Sequence, residues 1–385
     1  MKPLRVCLEA RLVGGTAGGV EDVLSGLASG LSSLGDGDEE YLFLAVPAFD
    51  DWLLPHVGGR CHVLHVRAWP GMRDERTEAL VKSMNVDLMH FPFQQAFRTT
   101  IPSIYQPWDL QHRHLPELFS AEELEKREKD YAAFCKQAKL VVVSNQWTRN
   151  DVVDQLGLNP DKVAVVPTVP ALHTGMKPTP AQLEAVRVAL ALPESFLFYP
   201  AQTWAHKNHL NLLKALATLR SRGIEVPLVC SGRKNAYFEV IEGAIRDLGL
   251  QDLVKFTGFV TAEQISGLYA LASAVIVPSK FEGACLPVME AFAVGRPVAC
   301  STATCLPEVA GQAALMLDPD DVDAMAAAIE KLWTDQALRA DLVKRGRHQT
   351  PTLTWSDIAR RFRAQYRRVA GRELTGDDKQ LLASG

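Results

Sequence analysis

The sequence predicts an α/β protein with two doubly wound domains, each built on a mostly parallel sheet. Short apolar runs alternate with helix-patterned segments along nearly the whole chain, which is typical of repeated βαβ units. The length of 385 residues exceeds what one hydrophobic core usually serves, so two domains are expected. The stretch 167–182 holds four prolines and interrupts the alternation, which makes it the best candidate for a linker.

Six strand candidates fall in the first half of the chain, with helical segments such as 20–34 and 121–137 between them. Each candidate is a continuous apolar run, as expected for a parallel strand that is buried on both faces. Together they predict an N-terminal domain over residues 1–175. The candidates are 4–9, 41–46, 61–66, 86–91, 139–144 and 162–167.

The alternation resumes after the linker and predicts a C-terminal domain over residues 176–353. Ligands of such folds bind at the carboxyl ends of strands, so a cleft between two facing domains is the expected site. Residues 354–372 form a helical segment expected to pack back toward the N-terminal domain, and 373–385 a frayed tail. The strand candidates are 195–200, 226–231, 253–258, 273–279, 296–301 and 313–317.

Composition and charge exclude several classes of protein. The formal net charge of −4 and the pI near 6.2 give no general attraction to nucleic acid. No stretch approaches the ~20 apolar residues of a membrane span, and only peripheral contact with a membrane is left open. Glu9 and Arg11 interrupt the N-terminal apolar run, so it is not a signal peptide. The seven cysteines are scattered, which predicts reduced thiols in a cytoplasmic protein.

A glycine-rich loop follows the first strand candidate, in the stretch RLVGGTAGGVEDVLSGLASGL, residues 11–31. Its glycines come as two doublets, Gly14–Gly15 and Gly18–Gly19, which match neither the P-loop nor the GxGxxG dinucleotide pattern. Glycines let a backbone approach a ligand closely, and the helix start behind them favours anions. A simple turn that lets the helix begin explains the doublets equally well.

Three cations follow strand candidates of the second half. Lys207 lies in FYPAQTWAHKNHLNLLKAL, residues 198–216, at the start of a predicted helix, where it could meet a phosphate. Arg233 and Lys234 come directly after a strand and a glycine, which indicates a local anion site. Solvated surface side chains are the alternative for all three.

Two carboxylates flank a predicted tight turn in SAVIVPSKFEGACLPVMEAFAVGRPVACS, residues 273–301. Pro287 marks a first helical turn, so Glu282 is placed in the loop and Glu290 near the start of the helix. Carboxylates accept hydrogen bonds from hydroxyls, and helix-start amides bind phosphate oxygens. A nucleotide sugar offers both kinds of group. The alternative is that Glu290 only complements the helix dipole.

Taken in this order, the segments make the chain resemble the retaining glycosyltransferases of the large family-four group. The resemblance covers nearly the full length and implies the GT-B fold, with two Rossmann-like domains facing each other across a cleft. The Glu-x7-Glu motif EGACLPVME is the segment that carries the resemblance most clearly. The other matching segments are AFAVGRPVACS, LPEVAGQAAL (306–315), HKNH (206–209), GFVTAEQISGLYALASAVIVPS (258–279) and GGTAGGVE near the N-terminus.

The resemblance implies a role for each motif residue. Glu290 would hold the ribose of a donor, and Glu282 the hydroxyls of the transferred sugar. Lys207 and Arg233, with Lys234 beside them, would neutralise the diphosphate as it leaves. Backbone groups would line the sugar, the diphosphate and the nucleobase. The donor-binding positions implied in this way are Gly18, Gly19, Lys234, Val260, Gly283, Ala284, Cys285, Leu286 and Glu290.

The chain departs from the family's pattern at two places. The turn after Glu282 reads Gly-Ala-Cys where many relatives have Gly-Phe-Gly, so the family's donor preferences transfer poorly. Trp108 stands where a histidine is usual, while Asp109 is kept and His112 and His114 follow. One of these residues is therefore expected to take the acceptor-side role that the resemblance implies, with Asp109 and His112 as the catalytic candidates.

The sequence predicts a retaining glycosyltransferase, of the hexosyltransferase type, that moves a sugar from a nucleotide-diphosphate sugar to a glycan, lipid-linked or natural-product acceptor. No metal or cofactor is expected, and the acidic segment GDGDEE, residues 35–40, is expected to be a solvated turn. The absence of GxGxxG after the first strand excludes a dinucleotide-dependent oxidoreductase. A non-catalytic carbohydrate-binding protein of the same fold and a nucleotide-sugar epimerase remain alternatives, and the oligomeric state is open.

Overall fold

The computed structural model describes residues 2–15, 18–67, 69, 71–350 and 352–383, apart from the side chains of residues 172 and 173. Two positions of the predicted glycine-rich loop, 16 and 17, lie outside the described residues, as do 68 and 70. The chain divides into two compact units. The first runs from the N-terminus to Val169 and resumes at Thr352, and the second is the segment between them.

The first unit is built on a seven-stranded sheet, within the described residues, in the order β3-β2-β1-β4-β5-β6-β7 with every pair parallel. Six of these strands match the sequence candidates. β5 was not predicted, because its three residues contain a single aliphatic side chain, Ile104. The strands are β1 (Leu4–Glu9), β2 (Glu39–Ala45), β3 (Cys61–His65), β4 (Leu88–Phe91), β5 (Ser103–Tyr105), β6 (Leu140–Val143) and β7 (Val163–Val165).

Helices connect these strands on both faces of the sheet, as parallel pairing requires. Local sequence sets their limits: Ser120 and Glu123 form a capping box before α4, and Gly157 ends α5 with a left-handed φ of 60°. The helices are α1 (Gly19–Ser32), α2 (Glu75–Ser83), α3 (Gln111–His114), α4 (Ala121–Gln137) and α5 (Gln146–Leu156).

The second unit has a six-stranded parallel sheet, in the part of the chain described, with the order β10-β9-β8-β11-β12-β13. Each strand matches a sequence candidate, because most of them are apolar runs; β10 is the exception, with Lys255 between Val254 and Phe256. The strands are β8 (Leu197–Pro200), β9 (Leu228–Ser231), β10 (Val254–Phe256), β11 (Ala274–Val277), β12 (Val298–Ser301) and β13 (Ala314–Leu317).

The helices of the second unit complete its Rossmann-like pattern. Thr179 and Thr261 form capping boxes before two of them, each with a glutamine three residues on. They are α6 (Pro180–Ala189), α7 (His209–Ser221), α8 (Phe238–Asp247), α9 (Ala262–Leu271), α10 (Leu286–Ala293), α11 (Leu306–Ala310), α12 (Val322–Thr334) and α13 (Gln336–Gln349).

The chain returns to the first unit as α14 (Trp355–Val369), which packs closely on α1. A Cβ added at Gly26 would lie 2.1 Å from Cε2 of Trp355, and one at Gly30 would lie 2.2 Å from its carbonyl oxygen. Below this contact, the Tyr366 hydroxyl and Nδ1 of the buried His90 share a hydrogen bond of 2.8 Å. α14 is therefore an integral part of the first unit's core.

Two arginines of α14 form ion pairs with acidic residues of the segments predicted to be a solvated turn and a frayed tail. Arg363 bonds to Asp36 at 2.9 Å, and Arg367 bonds to the buried Glu39 at 2.6 Å, so these acidic residues are held by ion pairs and are not a simple solvated turn. Arg367 also bonds at 2.8 Å to the buried Asp378 of α15 (Gly376–Ala383). The expected frayed tail is thus a helix anchored by a charge-assisted hydrogen bond.

The seven cysteines are all buried and free, which confirms that they form no disulfide framework. Among the described residues, no helix combines the length and apolar character needed to cross a membrane.

We expect Gly26→Ala to destabilise the first unit by about 1–3 kcal/mol, because the added methyl group overlaps the Trp355 ring. Urea unfolding followed by tryptophan fluorescence measures this change. Gly243→Ala in α8 is the control, since a Cβ there meets no atom closer than 4.0 Å. Helix propensity alone makes that control neutral or stabilising by up to about 1 kcal/mol. A Gly26→Ala protein as stable as the control would contradict the packing described.

Candidate functional site

The candidate site of the second unit lies where its strand order reverses. From β8 the chain continues to β9 on one side and, later, to β11 on the other, so the loops after β8 and β11 diverge. A crevice at the carboxyl ends of two such strands is the usual ligand site of doubly wound sheets. Lys207 follows β8 and Glu282 follows β11, so the two predicted residues lie at this switch point.

Lys207 and Glu282 form a direct ion pair. The Lys207 ammonium lies 2.7 Å from Oε1 of Glu282, and the two side chains are only 20% and 10% exposed. Sequence analysis predicted both residues but not their contact, because 75 positions separate them. A cation and a carboxylate are therefore held together at the mouth of the crevice.

The loop that carries Lys207 is fixed by its own backbone contacts. The Tyr199 hydroxyl donates to the Lys207 carbonyl at 2.7 Å. Asn208 adopts a left-handed φ of 62°, and its side-chain amide donates to the carbonyls of Pro278 and Pro319 at 3.0 and 2.7 Å. Because three neighbouring segments hold it, the loop presents Lys207 in a defined position.

The loop after β12 holds Glu282. The Glu282 N–H donates to the Thr304 hydroxyl at 3.0 Å, and that hydroxyl donates back to the Glu282 carbonyl at 2.8 Å. The Cys305 thiol lies 3.2 Å from the same carbonyl. Sequence analysis missed Thr304, which lies 22 positions away, and no local pattern marks it. This contact fixes the backbone from which the carboxylate projects.

Cys285 begins α10 in a left-handed conformation with φ of 54°. A non-glycine residue in this region costs about 1 kcal/mol or more, and many family members have glycine here. Its thiol is buried, and burial raises the pKa of the thiol, so it remains neutral and unreactive. Pro287 lies in the first turn as predicted, and the backbone N–H of Val288 donates to the Cys285 thiol. The other backbone N–H groups of this turn can donate hydrogen bonds to an anion.

Glu290 is more buried than its predicted role suggested, at 5% exposure. The Tyr269 hydroxyl donates to its Oε2 at 2.6 Å, and the backbone N–H of Ala171 also donates to its carboxylate. Burial raises the pKa of Glu290 to about 7, and these two hydrogen bonds oppose that rise. The sequence alone indicates neither Tyr269 nor Ala171 as a partner of Glu290, because each comes from a segment distant in sequence.

The loops after β9 and β10 complete the same edge of the sheet. Gly232, with φ of 126°, lets the loop after β9 lie against Ala201, since an added Cβ would be 2.7 Å from that backbone. Its N–H donates to the Gly258 carbonyl at 2.9 Å, which ties the two loops together. Arg233 and Lys234 are exposed, and the Lys234 ammonium lies 4.1 Å from the Phe238 ring centroid.

Val260 is half-buried beyond this tied pair of loops, beside the exposed Phe259. Of the predicted donor-binding positions in this unit, those contributing backbone groups all follow the carboxyl ends of strands. They are Val260, Gly283, Ala284, Cys285 and Leu286.

The first unit also reverses its strand order, between β1 and β4. The glycine-rich loop follows β1, and Gly18 precedes α1 with a positive φ of 54°, while Gly19 is the first helical residue. The Gly15 N–H donates to the Glu21 carboxylate at 2.8 Å, and burial raises the pKa of Glu21. The second glycine doublet is therefore the start of a helix at a switch point.

Asp109 lies beside this switch point. Trp108 has a left-handed φ of 67°, and its indole N–H donates at 2.7 Å to the carbonyl of Pro92, in the loop after β4. The Asp109 carboxylate is half-buried and accepts the N–H of Gln111 at 3.0 Å, at the beginning of α3. The unusual Trp108 thus acts structurally, by holding the turn that carries Asp109.

His112 does not fit its predicted acceptor-side role. Its side chain is fully buried, its ring packs edge-on against Tyr131 at 5.0 Å, and Nε2 lies 3.3 Å from Glu128. Burial lowers its pKa to about 4, so the ring is neutral. Sequence spacing could not reveal this burial. His114 is more exposed, and its Nε2 lies 2.7 Å from Asp151.

Residues 184–349 match the family model described as "Glycosyl transferases group 1". This match lies within the second unit and spans most of it. Curated relatives are the O-antigen chain mannosyltransferase B of Escherichia coli, 29% identical over 63% of this chain and 64% of that protein, and the MMP alpha-(1->4)-mannosyltransferase of Mycolicibacterium hassiacum, 28% identical over 61% and 55%. The chain thus matches less than two thirds of the length of either relative.

Solved structures extend the similarity over almost the whole chain. Anabaena Alr3699/HepE in complex with UDP and glucose has a TM-score of 0.74 at 19% identity, covering 94% of this chain and 99% of that one. At this identity the likeness shows the fold alone. The fold class is the predicted one, GT-B, with two Rossmann-like α/β units.

The Lys207–Glu282 pair gives a prediction about stability. Lys207→Met removes the ammonium beside a largely desolvated carboxylate, and we expect a loss of about 1–3 kcal/mol. In a double-mutant cycle with Glu282→Gln, the double variant should lose less than the sum of the two single variants.

Lys280→Met, at the more exposed pair with Asp320, is the matched control, and we expect a change within about 0.5 kcal/mol. Denaturant unfolding of the parent and of the four variants measures these changes. Strict additivity in the Lys207–Glu282 cycle would show that the pair contributes no coupling.

Proposed function

We propose that the chain is a retaining glycosyltransferase that moves a hexosyl group from a nucleoside-diphosphate sugar to an acceptor hydroxyl. The observation that carries this proposal is the Lys207–Glu282 pair at the switch point, 2.7 Å apart. The group 1 family match of the surrounding unit and the names of the curated mannosyltransferases support it.

The leaving diphosphate would be stabilised by fixed positive charge. Breaking the bond to the sugar develops negative charge on the diphosphate, which preorganised cations and helix-start amides stabilise. Lys207, Arg233 and the start of α10 supply these groups along one edge of the sheet. Since they provide the required charge, the proposal includes no metal and no cofactor.

Glu282 has two partners in this proposal. Without donor it neutralises the Lys207 ammonium, at 2.7 Å. When the diphosphate engages Lys207, the Glu282 carboxylate becomes available to accept hydrogen bonds from hydroxyls of the transferred sugar. The ion pair thus holds both side chains in place until a donor replaces the contact between Lys207 and Glu282.

Glu290 would accept hydrogen bonds from the donor's ribose hydroxyls. Its partners, Tyr269 and the backbone of Ala171, hold the carboxylate in one orientation. On the acceptor side, we propose that Asp109 orients the acceptor hydroxyl. We also propose that a bound ligand can lie close to the backbone at Gly18 and Gly19. The leaving phosphate would take the acceptor proton, so no protein nucleophile is included.

Donor turnover tests the proposed function. We expect the purified chain to release a nucleoside diphosphate from a nucleotide sugar in the presence of EDTA. GDP-mannose is the first donor to try, because the two curated relatives are named mannosyltransferases. Lys207→Ala should lower kcat by about 10²–10³-fold, the usual cost of a lost transition-state donor.

Lys214→Ala, an exposed lysine of α7, is the matched control and should keep full activity. Retention of anomeric configuration in the product distinguishes this reaction from inversion. Nucleotide-sugar binding without turnover would favour a non-catalytic protein, and a changed donor sugar without acceptor would favour an epimerase.

Glu290 predicts a pH dependence of donor binding. The ionised carboxylate accepts ribose hydroxyls, so donor affinity should fall as the pH drops below about 7, the pKa to which burial raises Glu290. Tyr269→Phe removes a hydrogen bond that lowers this pKa, so the midpoint should move to higher pH. Calorimetry across pH 5.5–8.5, a range of about three units around that pKa, measures both. Glu290→Gln should bind weakly with no such step; a step that persists would assign it elsewhere.

A further inference from the structure

Aromatic side chains gather at the carboxyl edge of the first sheet. Phe49 follows β2 and Trp69 follows β3, yet their ring centroids are 5.5 Å apart with an interplanar angle of 59°. The two side chains remain 43% and 45% exposed. Exposed aromatic rings in contact usually mark a binding surface, because burying them against a partner would be favourable.

A third aromatic residue joins this edge to the glycine-rich loop. A Cβ added at Gly14, after β1, would lie 3.0 Å from Cδ1 of Trp52, so the loop rests on the indole ring. We call Phe49, Trp52 and Trp69 the aromatic surface. The loops after two adjacent parallel strands, β2 and β3, carry it, at the edge where such sheets bind ligands.

Polar groups surround the aromatic surface and carry both signs of charge. The Asp50 carboxylate lies 2.7 Å from Nε2 of His65, whose side chain is 51% exposed. Asp51 and Arg67 are exposed two positions from Phe49 and Trp69. A membrane surface favours a cluster of cations, whereas the charges here are mixed.

A pyranose ring matches this combination of groups. Its C–H face carries partial positive charge and packs on the negative face of an aromatic ring. Its hydroxyls both donate and accept, so they can bond to carboxylate, imidazole and guanidinium groups at the rim. Sites of this kind combine aromatic walls with a few polar groups that fix orientation.

We propose that the aromatic surface binds a sugar ring of the acceptor, and hence that the acceptor is a carbohydrate. This inference rests on the proposed function, since it names the acceptor class of that reaction. Phe49 and Trp69 contribute the stacking faces, and the Asp50–His65 pair orients the hydroxyls. Lys207, Glu282 and Glu290, proposed to bind the donor, lie in the second unit and are not part of the aromatic surface.

Saturation-transfer NMR on the full chain tests the inference, with methyl α-mannoside, methyl α-glucoside, methyl β-galactoside and methyl N-acetylglucosaminide as probes. At least one methyl glycoside should bind. Trp69→Ala and Phe49→Ala should each weaken its binding by about tenfold, which equals about 1.4 kcal/mol. Trp69→Phe should keep most of the affinity, because it retains a stacking face.

Leu118→Ala, an exposed apolar residue of the same unit, is the control and should bind as the parent does. Absence of binding by all four probes, or equal binding by Trp69→Ala, would overturn the inference. So would Trp69-dependent sedimentation with phosphatidylcholine–phosphatidylglycerol vesicles without sugar binding. If the parent protein hydrolyses no donor but still binds sugar through Trp69, the proposed function fails and the sugar site stands.

Discussion

The ion pair between Lys207 and Glu282 is the interaction on which the second unit's site depends. Removing two opposite charges from water costs free energy, and their attraction offsets that cost only when the geometry is held well. Tyr199 and Asn208 hold the loop of Lys207, and Thr304 holds the loop of Glu282. Each of these side chains contacts backbone, so the charged groups remain available to a ligand while their supports do not move.

Most strands of both sheets could be predicted, because burial on both faces favours apolar residues along a strand. A parallel strand buried on both faces is usually an apolar run, and strands such as Leu140–Val143 and Ala274–Val277 have that form. Ser103–Tyr105 lacks it, since its pairing with β4 and β6 depends on the sheet around it. The helix at Gly376–Ala383 was missed for a related reason, because its anchor is Arg367 on the preceding helix.

The candidate site was predictable only where one residue type is tied to one local position. Glu282, Pro287 and Glu290 occupy a strand–loop–helix pattern that the sequence shows directly. Tyr269 and Thr304 contact these glutamates from other segments, and a single sequence does not show tertiary contacts. The acceptor-side role predicted for His112 does not fit its surroundings. Its position near Asp109 was suggestive, but packing against Tyr131 removes the ring from solvent.

The two units differ in what can be inferred about their chemistry. The family match covers residues 184–349, the range that contains Lys207, Glu282 and Glu290. The first unit lies outside that match, and its specificity has to be argued from its own surface. There the loops after β2 and β3 expose Phe49 and Trp69 beside mixed charges, a combination that suits hydroxylated rings better than acyl chains. Under the proposed function, acceptor choice would be set by these loops, which can change without altering the ion pair of the second unit.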